Sequence, residues 1–357
     1  MTDHGLDCGV KCRKTGRGST DDPAVRVESG AGGCLPPIPF ATGKRAPPED
    51  IFAEQKDQRN MQAVEALIAA LPQDKAVLIA GPTASGKSAL AARIVARGGG
   101  VVVNADALQV YGCWRLLTAR PNAEEEAALP HRLYGHIGRD EAYSVGHWLR
   151  EVAAVLAEGL RPVIVGGTGL YFSALTEGLA EIPPTPAAVR KLADARMQAE
   201  GGAALLAELD AATVARIDSA NPARVQRAWE VLQATGRGLA DWQDSTGPAL
   251  LPLDQVQPIV LRPDVDWLNT RINQRFDGMM AQGALAEVQA ELPTWEPLRP
   301  SARAIGAPEL VAHLRGEIPL EEAVAQAKLA SRQYAKRQRT WFRNRMKSWI
   351  ALDPARW

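Results

Sequence analysis

The residues with the plainest chemical meaning are Gly81-Pro82-Thr83-Ala84-Ser85-Gly86-Lys87-Ser88: a glycine, four intervening residues, then Gly-Lys-Ser. Glycines in such a loop let backbone N–H groups close around phosphate oxygens, and a helix starting there adds the positive end of its dipole. Lys87 contributes a point charge, and the Ser88 hydroxyl is a ligand for Mg²⁺. A nucleotide or diphosphate group is therefore expected over Gly81, Pro82, Thr83, Ala84, Ser85, Gly86, Lys87 and Ser88. The pattern is that of a P-loop. Its context agrees, because the apolar run Ala76–Ala80 reads as a strand before it and residues 88–97 read as a helix after it.

Most P-loops serve transfer or hydrolysis of a terminal phosphoryl group, which makes a kinase or ATPase the first expectation. Two later loops point away from it. A second apolar run, 100–103, ends at Asn104-Ala105-Asp106, and a third, 163–165, ends at Gly166-Gly167-Thr168 with no acid. Asp106 has three readings at this level: a magnesium ligand, a base, or a helix N-cap. Thr168 has two: a hydrogen bond to a phosphate oxygen, or the cap of a helix beginning at Gly169.

Strands alternating with helices imply an α/β fold with a P-loop NTPase-like parallel sheet core covered on both faces, and in such sheets ligands bind beyond the carboxyl ends of the strands. All three loops lie there. Residues 143–159 read as a helix with Trp148, Val152, Val155 and Leu156 on one side. Pro183, Pro184 and Pro186 form a linker into Ala- and Leu-rich helical sequence such as 187–208, which suggests an inserted helical domain. After Pro252 the core resumes with a strand, Val256–Leu261, and residues 267–292 and 320–349 read as helical. The expected organisation is thus a disordered N-terminal extension over 1–60, the first part of the core over 61–175, the insert over 176–250, and completion of the core with a basic C-terminal helical region over 251–357.

Of 357 residues, 41 are basic and 41 acidic, so net charge alone selects no partner. Its distribution does. Between Ala323 and Leu352 there is no acidic residue, whereas Lys328, Arg332, Lys336, Arg337, Arg339, Arg343, Arg345 and Lys347 are basic, several of them three or four apart along one helical stripe. With Tyr334, Trp341, Phe342 and Trp349 between them, these cations form a candidate track for a phosphate backbone. Cys8, Cys12, Cys34 and Cys113 match no common zinc-ligand spacing, even with His4, and are expected to be reduced. No apolar stretch is long enough to span a membrane and no secretory leader is evident, so a cytoplasmic enzyme is expected. Nothing demands an oligomer, and a monomer is expected.

The motifs taken together narrow the chemistry. Gly81 to Ser88, Asp106-Ala107-Leu108-Gln109-Val110-Tyr111, Pro130-His131-Arg132-Leu133 and Val165-Gly166-Gly167-Thr168-Gly169-Leu170-Tyr171 occur in an order and spacing that resembles the tRNA dimethylallyltransferase family. The resemblance continues through Asn221-Pro222-Ala223-Arg224-Val225-Gln226-Arg227-Ala228, Arg271-Ile272-Asn273-Gln274-Arg275-Phe276 and the segment 332–341, covering about residues 72 to 350. It implies transfer of a dimethylallyl group from its diphosphate to the exocyclic amine of an adenosine just 3′ of the tRNA anticodon, with Mg²⁺. By the same resemblance the P-loop grips the diphosphate leaving group, Asp106 accepts a proton from the attacking amine, Thr168 lies near the leaving group, and Arg275 binds diphosphate. Contacts to tRNA are implied at Ala107, Leu108, Gln109, Arg190, Ala223, Arg224, Val225, Gln226, Arg227, Arg303, Lys336, Arg337, Arg339 and Arg343. The target base must leave its stack to reach such a site.

The chain departs from the family pattern at three places. Ala107 stands where Ser is usual, Leu117-Thr118-Ala119-Arg120-Pro121 replaces Gly-Thr-Ala-Lys-Pro, and Ala307-Pro308-Glu309 follows Arg303-Ala304-Ile305-Gly306 where Tyr and a basic residue are usual. Asp106, Thr168, Arg275 and the P-loop are retained, so the chemistry is expected to persist with altered binding detail. The alternatives are an adenylate isopentenyltransferase, disfavoured by the insert and the basic helix, a P-loop small-molecule kinase, and a catalytically silent tRNA-binding protein, which the Ala307-Pro308 departure keeps open.

Overall fold

Strand β1 (Ala76–Ala80) consists of five apolar residues, all buried, because it lies inside a sheet covered on both faces. The computed structural model describes residue 62 and residues 64–356. The expectation of disorder over 1–60, and Cys8, Cys12 and Cys34 with it, lies outside the described residues.

Chain order is a helical segment 64–70 (α1), β1, α2 (Lys87–Gly98), β2 (Val101–Asn104), α3 (Ala123–Ala128), β3 (His131–Arg132), α4 (Val145–Ala157), β4 (Pro162–Gly166) and α5 (Gly169–Glu177). Five helices follow with no strand between them: α6 (Ala187–Glu200), α7 (Gly202–Ala207), α8 (Ala211–Arg216), α9 (Pro222–Thr235) and α10 (Leu239–Asp244). The chain closes with β5 (Val256–Leu261), α11 (Val265–Ala281), α12 (Ala284–Glu291), α13 (Ala307–Leu314), α14 (Leu320–Arg345) and β6 (Ile350–Leu352).

The six strands form one sheet in the order β3-β2-β4-β1-β5-β6, and every pairing is parallel. Alternation along the strands sends side chains to opposite faces. Leu78, Val103 and Ile164 pack with Trp148 and Val152 of α4, Phe172 of α5 and Phe342 of α14. Val77, Ile79, Val102 and Val163 pack on the other face with Val64 and Ile68 of α1 and Leu90 and Ile94 of α2. The strands β2, β4 and β1 are neighbours, so the three loops carrying the P-loop, Asp106 and Thr168 emerge side by side. Backbone bonds stitch them together: Gly81 N–H to Gly166 O at 3.3 Å, Ala105 N–H to Val165 O at 2.8 Å, and Thr168 N–H to Ala105 O at 3.2 Å.

The helices between β4 and β5 have a core of their own, built on Ala193, Leu205, Val225 and Trp229. The helical run expected over 187–208 breaks at Gly201, which adopts φ 78°, a conformation costly for any residue with a Cβ. The run 267–292 likewise divides into α11 and α12. The two short edge strands were not anticipated. The expected helix 320–349 stops at Arg345, and the chain turns back to lay β6 beside β5, with Ile259 opposite Ile350 and Leu261 opposite Leu352. β6 is three residues long and largely exposed, too short to show an alternating pattern. Pro308 falls in the first turn of α13, where a missing N–H leaves no bond unmade, and Glu309 accepts the Gly306 N–H at 3.0 Å. The Ala-Pro-Glu departure is thus accommodated as an ordinary helix start.

Trp349 anchors the turn from α14 into β6: it is 7% exposed and meets Phe172 edge-on at 5.5 Å between ring centroids. Trp349→Ala is expected to lower unfolding stability by about 3–5 kcal/mol, measured by urea titration. An unchanged midpoint would show that the C-terminal strand contributes nothing to holding α14.

Candidate active site

The P-loop has its backbone twisted for anion binding. Ala84 and Gly86 take φ 61° and 86°, the left-handed conformations that turn successive N–H groups to one side. Ser85 is fully buried and its Oγ has no partner, so the loop holds one polar atom whose bonding is unmet from within the described protein. Lys87 Nζ lies 3.4 Å from Pro82 O, folded back over the loop. Ser88 is exposed in the first turn of α2.

From the opposite side α11 brings two arginines. Arg275 donates through Nη2 to Thr83 Oγ1, and Arg271 Nε donates to Ala84 O at 3.3 Å. Loss of water pushes Lys87 down to about 8, opposed by attraction to Asp106 and reinforced by repulsion from Arg275. Burial likewise pulls Arg275 down to about 10, again opposed by Asp106. Two desolvated cations beside one half-buried carboxylate make a site with an unmet demand for negative charge.

Asp106 is set by a buried Asn. Asn104 Oδ1 accepts the Asp106 N–H at 2.8 Å, while Asn104 Nδ2 donates to Asp106 O at 3.0 Å and to Leu133 O at 2.9 Å. Trp148 Nε1 donates to Asn104 O at 2.7 Å, so α4 supports that turn. Asp106 Oδ1 accepts the Leu108 N–H at 3.0 Å; Oδ2 has no hydrogen-bond partner among the described residues. The aspartate therefore closes a turn and starts no helix. Thr168 precedes α5 without a side-chain cap bond; its Oγ1 accepts the Ala107 N–H at 3.0 Å. Tyr334 of α14 also bonds Thr168 and Gln338, and burial raises its hydroxyl pKa, with Asp106 adding to the rise.

Between these groups lies an open cleft. Thr83, Asp106, Arg275 and Tyr334 give it a polar side, and Leu108, Ile272, Phe276 and Met279 an apolar one. The arrangement suits a substrate with an anionic head, an apolar tail and an acceptor whose proton Asp106 can take. The sequence matches the family described as IPP transferase over residues 109–345. The chain belongs to that family.

Among relatives of this IPP transferase, the tRNA dimethylallyltransferase of Cereibacter sphaeroides (strain ATCC 17029 / ATH 2.4.9) is 76% identical over 279 residues, covering 78% of this chain and 89% of the relative. That of Dinoroseobacter shibae is 60% identical over 294 residues, covering 80% and 97%. The crystal structure of the full-length tRNA isopentenylpyrophosphate transferase of Bacillus halodurans matches with TM-score 0.56 at 32% identity, over 79% of this chain and 90% of that one. A eukaryotic dimethylallyltransferase acting on tRNA matches with TM-score 0.66 at 23% identity, over 79% and 74%, a likeness of fold. The core is a P-loop NTPase-like fold.

The positions implied for tRNA contact divide in this IPP transferase. Lys336, Arg343, Arg224 and Arg303 are exposed with no ion-pair partner among the described residues. Ala223 is exposed at the start of α9, and Arg337 is exposed with its guanidinium over the Tyr334 ring at 5.7 Å. Arg190 and Arg227 are exposed but lean on Glu230, at 3.5 and 3.8 Å, and Gln226 donates to Asp194 at 2.6 Å. Val225 is 1% exposed in the core of the helical segment, so its side chain is unavailable to any partner. Leu108 lines the cleft, Ala107 meets Thr168 through its N–H, and Gln109 Nε2 is spent on Thr118 O and Ala119 O at 2.7 and 3.1 Å. The basic stripe is also shorter than its spacing implied. Lys328 pairs with Asp277 at 2.5 Å, Arg332 donates to Asn273 at 2.7 Å, Arg339 is half-buried, and Lys347 lies beyond the helix.

Sequence reasoning passed over Asn104 and Gln338, and assigned Tyr334 to the basic track, whereas Tyr334 lines the cleft. Gln338 is 5% exposed; its Oε1 accepts the Thr83 N–H at 2.9 Å and its Nε2 donates to Gly167 O at 3.0 Å. A signal was present, because Ser331, Ala335, Gln338 and Phe342 recur at helical spacing on the buried face, and a glutamine there needs partners.

The lowered Lys87 pKa has a directional consequence. Below about pH 8 Lys87 is charged before any anion arrives; above it the free enzyme has lost that proton and must take one up on binding. Diphosphate affinity is expected to fall by up to about tenfold per pH unit above that point, with calorimetric proton uptake approaching one proton. Lys87→Arg is expected to remove the uptake; titrations in buffers of different ionisation enthalpy check both.

Proposed function

We propose that this chain transfers the dimethylallyl group of dimethylallyl diphosphate to the exocyclic N6 amine of the adenosine 3′-adjacent to the anticodon in tRNA, releasing diphosphate. The observation that carries this reading is the single cleft in which the anion-demanding P-loop and Arg275 face Asp106, with an apolar wall between. As the C–O bond breaks, its electron pair leaves with the diphosphate, and Lys87, Arg275 and the P-loop N–H groups stabilise that charge. The N6 lone pair forms the new bond to carbon, and the amine proton passes to Asp106 Oδ2, the oxygen left without a partner. Thr168 and Tyr334 hold the Asp106 loop and the leaving-group loop at fixed separation.

Mg²⁺ fits the donor set in one way. No cluster of three or more acidic, His or Cys ligands occurs among the described residues, so the ion would be held chiefly by diphosphate oxygens with Ser88 as its protein ligand, in the manner of substrate-borne magnesium. When bound it neutralises leaving-group charge. The acceptor base reaches the cleft by leaving its stack, and the free cations Lys336, Arg343, Arg224 and Arg303, with Arg190 and Arg227, track the surrounding phosphates. No described helix is long and apolar enough to cross a membrane, and the reaction on tRNA supports a cytoplasmic location. One chain supplies every group named here, which supports action as a monomer.

Incubation with labelled dimethylallyl diphosphate and unmodified tRNA tests the reading directly. Label is expected in tRNA, and Asp106→Ala is expected to lower kcat by about 10²–10⁴-fold. An unlabelled tRNA product from the wild type, or phosphate release from ATP in its place, would overturn the proposal. For the tRNA track, Lys336→Gln with Arg343→Gln is expected to reduce the slope of log affinity against log salt by about 0.7–0.9 per charge removed. An unchanged slope would place tRNA elsewhere.

A further inference from the structure

We infer that Gln338 is a positioning residue for the transfer step: its amide sets the span between the P-loop and the base, and it needs its acceptor and its donor together to do so. The inference rests on the reading above, in which the C1–O pair leaves with diphosphate, C1 bonds to N6, and the N6 proton passes to Asp106.

In such a displacement the breaking and forming bonds share one carbon, so the groups that serve them must stand at a fixed separation. Misplacement by about 1 Å costs on the order of 10²-fold in rate. The P-loop and the Asp106 turn follow different strands, β1 and β2, with β4 between them. Beyond the Gly81 N–H to Gly166 O bond, the hydrogen bonds leading from the P-loop to the loop after β4 run through Gln338 among the described residues.

Thr83 is held at both ends: its N–H donates to Gln338 Oε1 at 2.9 Å, and its Oγ1 accepts from Arg275. Gln338 Nε2 donates to Gly167 O at 3.0 Å, and the next residue, Thr168, accepts the Ala107 N–H at 3.0 Å beside Asp106. Tyr334, one turn before Gln338 on α14, bonds both Gln338 and Thr168. A run of hydrogen bonds therefore joins the arginine of the leaving-group side to the turn that carries the base. The packing is tight as well. A Cβ on Gly167 would lie 2.2 Å from Gln338 Nε2 and 3.4 Å from Asp106 Oδ2, so the amide and the proton-accepting oxygen flank one glycine with no room for a side chain. Gln338 is 5% exposed, which leaves little water to replace either of its bonds.

The test compares Gln338→Met, of similar length without hydrogen-bonding amide atoms, with Gln338→Glu. The introduced carboxyl reproduces both bonds only when protonated, accepting from Thr83 and donating to Gly167 O; ionised, it sets a second acceptor against that carbonyl. The ionisable groups facing it are Tyr334 on the same helix, Asp106 across Gly167, and Arg275 and Lys87 on the P-loop side. Gln338→Met is expected to lower kcat for transfer to tRNA by about 10²-fold relative to wild type at every pH. Gln338→Glu is expected to outpace it increasingly as pH falls, by up to about tenfold per pH unit until protonation is complete. Affinity for inorganic diphosphate, measured by calorimetry, is expected to stay close to wild type in both, which reports an intact P-loop. Should Gln338→Met fold poorly in melting curves, the ratio of Gln338→Glu to wild-type kcat across pH carries the test alone. A Glu variant whose kcat gains nothing on wild type or on the Met variant as pH falls overturns the inference, as does a loss that appears in diphosphate affinity and not in kcat. Wild-type enzyme that transfers no prenyl group would instead sink the reaction on which the inference rests.

Discussion

The amide of Gln338 joins two loops that originate on different strands and fixes the gap between them. Its oxygen holds the Thr83 N–H of the P-loop, and its nitrogen holds Gly167 O beside Thr168. Each such bond contributes only about 1 kcal/mol net, but losing one partner would leave a buried group unsatisfied at a further cost of about 1–3 kcal/mol. The constraint reaches outward from there. Gln338 sits on α14, so α14 must lie across the carboxyl ends of the strands, and its far end is fastened by Trp349 and by β6 pairing with β5. The same helix takes Arg332 to Asn273 and Lys328 to Asp277 on α11, which in turn delivers Arg275 to Thr83. A glutamine 255 residues away in sequence thereby sets where the P-loop and the arginine stand.

Burial of charge is the second constraint. Lys87 and Arg275 both lose water and both have pKa values drawn down, and their shared source of relief inside the protein is Asp106. A carboxylate close enough to neutralise them fully would compete with an incoming anion. Asp106 instead spends Oδ1 on the Leu108 N–H and sits on a turn fixed by Asn104. Its attraction favours the charged form of both cations, and no ion pair joins it to either of them among the described residues, which leaves them free to bind. In the proposed reaction the same placement puts the base on the acceptor side of the transferred carbon.

Much of this was legible in the sequence, for identifiable reasons. β1, the P-loop and α2 carry a spacing that chemistry dictates, and Asp106 and Thr168 follow apolar runs whose burial on both faces leaves little ambiguity. Arg275 was reachable only through the family resemblance, since by itself an arginine in a helix reads as a solvated charge. Gln338 and Asn104 were overlooked because their roles depend on partners far away in the chain. The basic stripe was overread for a related reason: cations at helical spacing look equally free until Asp277 and Asn273 of another helix are seen to engage two of them. Val225 was carried along with its neighbours on α9, although three of every seven positions on an amphipathic helix must face its own core.

The two cationic surfaces differ in how their side chains are held, and the difference bears on what each can do. On α9, Glu230 is itself buried yet draws in Arg190, Arg227 and Gln226, so those side chains are partly ordered before any partner arrives. Ordering in advance lowers the entropy lost on contact and favours fixed geometry. On α14, Lys336 and Arg343 are exposed with no ion-pair partner among the described residues, which favours long-range attraction over a defined pose. A structured RNA loop needs both, because attraction alone would leave its register undefined, and register decides which base can enter the cleft. In the proposed reaction on tRNA, the ordered arginines of the helical segment would fix register, and the cations of α14 would raise the rate of encounter.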